Sequence, residues 1–551
     1  MKSEHRSLLA IALSTGVLIL WFTVIAPPPR PGTETVAAPA PAETSIPEVI
    51  APSPVVAPPA PVFNAPQDDP QGKIALETST LQNDLVTLKI TSDGAVVTSW
   101  SLKNYTANGE SAAAVEMVQD NGRFLETPLD ASLGVPERPR YKLVRASNEE
   151  AVYVWQGSQI QLTKTIRLQP NQYVADVTLQ VENRSHQAME VKPGLTMQTP
   201  VKIPKAAGGF LSALKPKSNE GNKAVYYLAG KTERRPSQEL AGKSQVFSGN
   251  LYWAGMEDRY FLAAILPRVQ SEGTSVEYRS HDHSMNTTVG LAKTMIAPAA
   301  STQFHFSVFA GPKDIEHLKA VGLRLDEAID YGWFSFVAVP ILHLLKFFYR
   351  VVPNYGLAII LLTVFIKLLM QPLTKKSMKS MKAMQVLQPR MKELQAKYKN
   401  DRMRLNQEMA NLFRAHKVNP ASGCLPMLAQ FPIYIALWKV LWNAIELYHA
   451  PFFGFYHDLS APDPYFITPI ILGLFMFAQQ KMTPTASMDP AQAKAMLIMP
   501  VMFSAFMLFL PVGLVVYILV NTAMTVIQQG MYNKGLRMRD VLRGKFTPVT
   551  S

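Results

Sequence analysis

The chain has 551 residues and a formal net charge of +13. Hydrophobic residues make up 48% and charged residues 17%, below the roughly one quarter usual in soluble domains. This balance excludes a disordered or nucleic-acid-tail protein and suggests a membrane protein with basic cytoplasmic loops. A lone cysteine, Cys424, excludes a disulfide framework and a cysteine-based zinc site, and reads as packing at a helix start.

Residues 1–26 read as a transmembrane anchor. Residues 7–26 are uncharged, long enough for a hydrocarbon core of about 30 Å. A cleaved signal peptide is the other reading. Against it, the run is long, ends in bulky Trp21, Phe22 and Ile25, and meets Pro27. Lys2 and Arg6 place its start in the cytoplasm. Residues 27–72 hold 14 of the 42 prolines and read as an extended periplasmic tether.

From residue 73 the texture changes to short alternating runs. Leu85-Val-Thr-Leu-Lys-Ile90, Ala151-Val-Tyr-Val-Trp155 and Tyr173-Val-Ala-Asp-Val-Thr-Leu179 are examples, with turn signals at Asp93-Gly94 and Asn108-Gly109. Period-two alternation predicts a periplasmic β-sandwich, closed by a helical stretch, over residues 73–330. Residues 331–352 are apolar but contain Pro340, His343 and Lys346. We place them as an amphipathic helix in the outer interface, with Trp333 and Tyr349 at headgroup level.

Transmembrane helix 2 is expected within 353–373, and further spans at 425–441 and 465–480. The uncharged run 495–528 would be about 50 Å long as one helix, so Pro511-Val512-Gly513 must divide it into a hairpin. Helices 3–6 therefore occupy 421–530, six spans in all, and 531–551 form a basic cytoplasmic tail. Loop charge supports the count. Residues 374–419 carry twelve Lys or Arg against three acids, and residues 443–464 carry no Lys or Arg. A seventh span at 331–349 would put the basic loop outside, against the positive-inside rule.

Lys367 is the most informative residue. A charge inside a span costs about 2.5–3.5 kcal/mol on insertion scales and marks a candidate functional site. Thr363 and Gln371 stand four residues before and after it, on the same helical face. Gln430 and Tyr434 repeat the spacing in a second span, and Tyr517, Asn521 and Thr525 in the last. Three polar stripes and a lysine suggest one water-filled intramembrane pocket, although interhelical hydrogen bonding uses the same residue types. Lys439 lies near the outer end of its span and reads as snorkelling outward. The loop 374–420 reads as a basic, methionine-bearing amphipathic hairpin that docks lipid headgroups, nascent chains or ribosomal RNA. His281-Asp282-His283 lacks a third ligand nearby and reads as a polar surface loop.

Several stretches then resemble the YidC/Oxa/Alb family, in its Gram-negative branch. They include Tyr331-Gly-Trp333, Pro372-Leu-Thr-Lys375, Lys417-Val-Asn-Pro420, Gly423-Cys-Leu-Pro426, Asp458-Leu-Ser-Ala461, Asp463-Pro-Tyr465 and Ile527-Gln-Gln529. The order of anchor, tether and β-domain extends the likeness along the whole chain. The resemblance implies a polytopic α-helical membrane protein with a five-helix insertase core. It also implies a hydrophilic groove open to the cytoplasm and to lipid, and a periplasmic β-supersandwich like that of galactose mutarotases, without that activity. The groove cation of the family is often arginine; the matching position here is Lys367.

We therefore expect an inner-membrane insertase and chaperone, not an enzyme, with no cofactor, metal or catalytic residue. Its substrate groove would comprise Lys367, Thr363, Gln371, Gln430, Tyr434, Tyr517 and Asn521. Expected partners are nascent membrane proteins and possible lipoprotein substrates, the Sec translocon, the ribosome, signal recognition components and the phospholipid bilayer. Both termini would be cytoplasmic. A secondary transporter would also use an intramembrane lysine, but such proteins usually show inverted repeats, and none is visible. A tethered periplasmic carbohydrate enzyme would leave the extra spans without a role.

Overall fold

The computed structural model describes residues 75–107, 113–118, 122–129, 133–201, 222–281, 284–399, 401–416, 425–454, 456–482 and 490–533. The expected anchor, the whole tether, Asn108-Gly109, Asp282, His283, Cys424 and the C-terminal tail beyond 533 lie outside them. Contacts group Ala65–Met488 with Met496–Ser551 as one compact unit. Of the other unit only residues 490–495 are described, as the first turns of a helix.

The period-two runs form two antiparallel sheets of nine strands each. In one, the hydrogen-bonded order begins Thr78–Gln82, Val86–Thr91, Val96–Thr106, Phe124–Glu126 and continues Gly194–Pro200, Ser284–Gly290, Ser275–His281, Ser244–Ser248. Ala114–Glu116 pairs beside Val96–Thr106. The other sheet runs Lys231–Pro236, Lys223–Leu228, Leu251–Glu257, Phe261–Pro267, Ser301–Pro312, Val174–Asn183, Ile160–Leu168, Glu150–Gln156, Lys142–Ala146. Along Ile160–Leu168 every second side chain is buried, as the pleat requires.

The sheets face each other across a core that holds Trp100, Tyr278 and Phe306, while Trp253 and Phe309 are buried on the outer face of the second sheet. Burying a side chain of that size contributes about 2 kcal/mol. Polar groups inside it bond across the gap. Tyr278 donates its hydroxyl to Val225 O at 2.9 Å and Gly255 O at 3.2 Å, and Ser79 meets the Tyr153 hydroxyl at 2.6 Å. Gly255 must be glycine, because a Cβ there would stand 1.9 Å from Ala263 O.

Nine α-helices are described beyond the strands. Helix α1 (Ile315–Val321) is capped by Asp314, whose carboxylate accepts from the Glu316 and His317 amides. Helix α2 (Ser335–Val351) contains Pro340, and α3 (Tyr355–Leu369) starts on the Asn354 cap. After Met370 the chain bends by 60° into α4 (Gln371–Lys397). The span was expected to run on to Leu373. It stops earlier because Pro372 has no N–H to donate back to the preceding turn and suits the start of a new helix.

The hairpin closes with α5 (Arg402–Ala415), capped by Asp401. Then come α6 (Leu425–Asn443), α7 (Ile467–Met482), α8 (Pro490–Met507) and α9 (Val512–Asn533). The expected break at Pro511-Val512-Gly513 falls between α8 and α9. The first amides of α9 are satisfied by Ala461 O and Leu459 O, at 2.8 and 2.9 Å.

Among the described residues, Gly332–Val351 and Val512–Asn533 are long and apolar enough to cross a membrane alone. The bent pair α3–α4 makes a third if it counts as one span. Gly332–Val351 is the stretch that sequence placed in the interface. In the structure Gly332 is beside Lys439 of α6, and Lys346 bonds Asp314 at 2.9 Å.

Candidate functional site

Helices α3, α6 and α9 meet around Lys367. Its side chain is 7% exposed although it carries an ammonium. The Nζ donates to Thr525 Oγ1 at 2.8 Å, and that hydroxyl donates onward to Asn521 O at 2.8 Å. Gln430 on α6 donates from Nε2 to Asn521 Oδ1 at 2.8 Å. One hydrogen-bonded chain thus joins the three helices. The rings of Tyr434 and Tyr517 extend the lining, with centroids 6.1 Å apart. Among the described residues, no carboxylate lies within ion-pair distance of Lys367, so its positive charge is not cancelled locally.

Two expected residues sit differently. Thr363 is buried, and its hydroxyl bonds Ile359 O of its own helix at 2.7 Å, so it lines without reaching across. Gln371 opens α4 beyond the 60° bend, so no single helix carries Thr363, Lys367 and Gln371 as one stripe. Thr525 is the direct partner of Lys367; sequence marked it only as a rung of the α9 ladder.

On the side that faces the β-domain, hydrogen bonds, close packing and ion pairs join helices and loops. Asn354 donates to Phe452 O at 2.5 Å, and a Cβ on Gly356 would stand 2.0 Å from Phe452 Cδ2. Asp463 accepts from the Tyr465 and Thr468 amides, the Thr468 hydroxyl and the Tyr456 hydroxyl, at 2.7–3.1 Å. Burial pushes its carboxyl up, but those bonds outweigh burial and hold it below the usual carboxylate range. Lys346 bridges Asp314, Glu446 and Glu316 at 2.9, 3.0 and 3.5 Å.

On the opposite side, Gln385 of α4 and Gln529 of α9 both donate to Met482 O, at 3.3 and 2.9 Å. Helices α7 and α8 expose Ile470, Leu474, Ile498, Val501 and Met502. Exposed apolar side chains of this size suit lipid or an apolar helix. Lys439 does not simply snorkel: its Nζ lies 3.0 Å from the Asp330 carboxylate. Among the described residues, no group of three His, Cys, Asp or Glu could hold a metal.

Comparison with known proteins covers nearly the whole chain. A family model described as the YidC periplasmic domain matches residues 78–344, and one described as the 60Kd inner membrane protein matches residues 347–540. The protein of Geobacter metallireducens named membrane protein insertase YidC is 35% identical over 553 residues, with 97% of this chain and 99% of that protein covered. The protein of the same name from Syntrophus aciditrophicus is 36% identical, with 96% and 99% covered. A crystal structure of an active YidC insertase with its first transmembrane domain resolved is 19% identical. It covers 82% of this chain and 91% of its own, with a TM-score of 0.35. A galactose mutarotase-like protein from Lactobacillus casei, 12% identical, covers 43% of this chain and 100% of its own, with a TM-score of 0.31.

Proposed function

Because the chain belongs to the YidC family of membrane protein insertases, we propose that it inserts and helps fold integral membrane proteins in a bacterial inner membrane. No covalent bond is made or broken. The observation that carries this reading is Lys367: a buried ammonium between three helices, bonded to a hydroxyl and to no carboxylate.

A nascent span is apolar but trails a polar segment that must cross. Moving an acidic side chain to the bilayer centre costs about 2.5–3.5 kcal/mol. A fixed positive charge partway across offsets part of that cost, and the polar groups of Thr525, Asn521 and Gln430 offset more. The exposed apolar face of α7 and α8 then offers the span a lateral exit. The ties around Asn354, Asp463 and Lys346 support a groove closed towards the periplasm and open towards the cytoplasmic hairpin. In this topology α2 lies in the outer interface, both termini are cytoplasmic, and the hairpin α4–α5 receives ribosome-borne or Sec-delivered chains, with or without signal recognition components.

The test is insertion into proteoliposomes of a single-span substrate with an acidic translocated tail. Lys367→Arg should keep activity. Lys367→Ala should lower it and Lys367→Glu should lower it by about tenfold or more, as expected for about 1.4 kcal/mol or more of lost attraction. Wild-type insertion by Lys367→Glu would overturn the electrostatic account.

A further inference from the structure

Helix α6 ends against the β-domain, and its last turn leaves carbonyl groups without partners in the helix. Arg259, in the turn between strands Leu251–Glu257 and Phe261–Pro267, supplies one. Its Nε donates to Trp442 O at 2.7 Å, and its guanidinium lies 4.1 Å above the Trp442 ring. One turn earlier in α6, Lys439 meets the Asp330 carboxylate at 3.0 Å, and Asn443 donates to Asp330 O at 3.2 Å. Both cations also sit at the negative end of the helix dipole.

The segment that leads into Asp330 is itself held by the β-domain. Arg234 donates to Ala328 O at 2.8 Å, and Trp253 donates to Arg324 O at 3.2 Å. The ion pair alone is partly exposed and weak; the cap and the stacked guanidinium add to it.

From this attachment a ladder of rings descends one face of α6 at four-residue spacing. Trp442 stacks on Trp438 with centroids 6.4 Å apart, Trp438 lies 6.3 Å from Tyr434, and Tyr434 lies 6.1 Å from Tyr517 on α9. Pro432 sits inside α6 just beyond Tyr434. It lacks the N–H that would tie the two halves of the helix together, so the outer half needs support from elsewhere.

We infer that Arg259 and Lys439 are positioning residues: by fastening the outer half of α6 to the β-domain, they set Tyr434 against Tyr517 at the groove. The inference rests on the groove reading above. It gives the β-domain a mechanical part in insertion without contact with the substrate.

The test uses the full chain in proteoliposomes. The variants are Lys439→Met, Lys439→Met with Arg259→Gln, and the exchanged pair Asp330→Lys with Lys439→Asp. Two quantities are read: deuterium exchange at the amides of residues 433–443, and the insertion rate of the acidic-tailed substrate. In the double variant, exchange there should rise and insertion should slow by about fivefold, a size typical of changes along a coupling network. Exchange in Ile160–Leu168 and Val174–Asn183 should stay unchanged, which separates loss of the attachment from loss of the β-domain fold. The exchanged pair should recover most of both quantities.

Should Arg259→Gln disturb those strands, Lys439→Met, outside the domain, carries the same test with a smaller effect. Wild-type exchange at 433–443 in every variant, or faster exchange with undiminished insertion, would overturn the inference. Lys367→Glu is run alongside. Normal insertion by that variant would sink the groove reading instead, and the exchange measurement on α6 does not depend on it.

Discussion

Lys164 offers the sharpest quantitative test of the β-domain. It lies in Ile160–Leu168 on the inward face, is 0% exposed, and donates its amine to Leu125 O across the sandwich. Burial, the dominant effect, drives its pKa down from 10.5 to about 7; the charges of Glu126 and Arg123 act in opposite directions. At ~1.4 kcal/mol per pH unit, that gap corresponds to about 5 kcal/mol of stability withheld while both folded and unfolded chains are protonated. Between pH 7 and 10.5 the unfolded chain binds more protons than the folded one, so stability rises with pH across this window.

Lys164→Met keeps the length and apolar stem but carries no charge. It leaves Leu125 O unpaired, at a cost of about 1–3 kcal/mol. Near pH 7 the variant should therefore be more stable by about 2–4 kcal/mol, or about 5–10 °C in Tm for a domain of this size. Near pH 10 the wild-type penalty has nearly gone, and the variant should be equal or slightly less stable. The assay is thermal unfolding of the full chain in detergent, followed by the near-ultraviolet signal of the buried Trp100 and Trp253, at several pH values. A stability difference that does not change between pH 7 and 10 would refute the reasoning.

Asp463→Asn should cost about 1–2 kcal/mol by weakening the charge-assisted cap on the start of α7, read as faster deuterium exchange at residues 465–470. Because the folded carboxyl titrates below its ordinary 3.8, the wild-type contribution should be complete above about pH 4 and fade as pH falls through the folded value. Deleting residues 375–417 should abolish capture of ribosome-bound chains while α6 to α9 stay folded in detergent. Undiminished crosslinking to nascent chains after that deletion would argue against a receiving role for the hairpin.

Local pattern alone determined most of the elements. Alternation in Ala151-Val-Tyr-Val-Trp155 and Tyr173-Val-Ala-Asp-Val-Thr-Leu179 announced strands with one buried face. Pro511-Val512-Gly513 announced the turn between α8 and α9. The Lys367 signal, a charge in an apolar helix, was equally local, as were the four-residue polar stripes. Each of these follows from backbone geometry, which repeats within a few residues and is written in consecutive side chains.

Tertiary structure alone decided the partners. Lys367 meets Thr525 across 158 residues of chain, and Lys439 meets Asp330 across 109. Which rung of a stripe faces which helix depends on the rotation and offset of packed helices, and side-chain packing far from either residue sets both. Pro372 was visible in the sequence, yet hydropathy carried the expected span through it. The missing N–H, together with the start of α4, bends the chain at Met370 and separates Gln371 from Lys367. Lys164 was not marked in the sequence at all: its burial follows from the pleat of its strand, and the facing sheet, 39 residues away in sequence, supplies the carbonyl that its amine reaches.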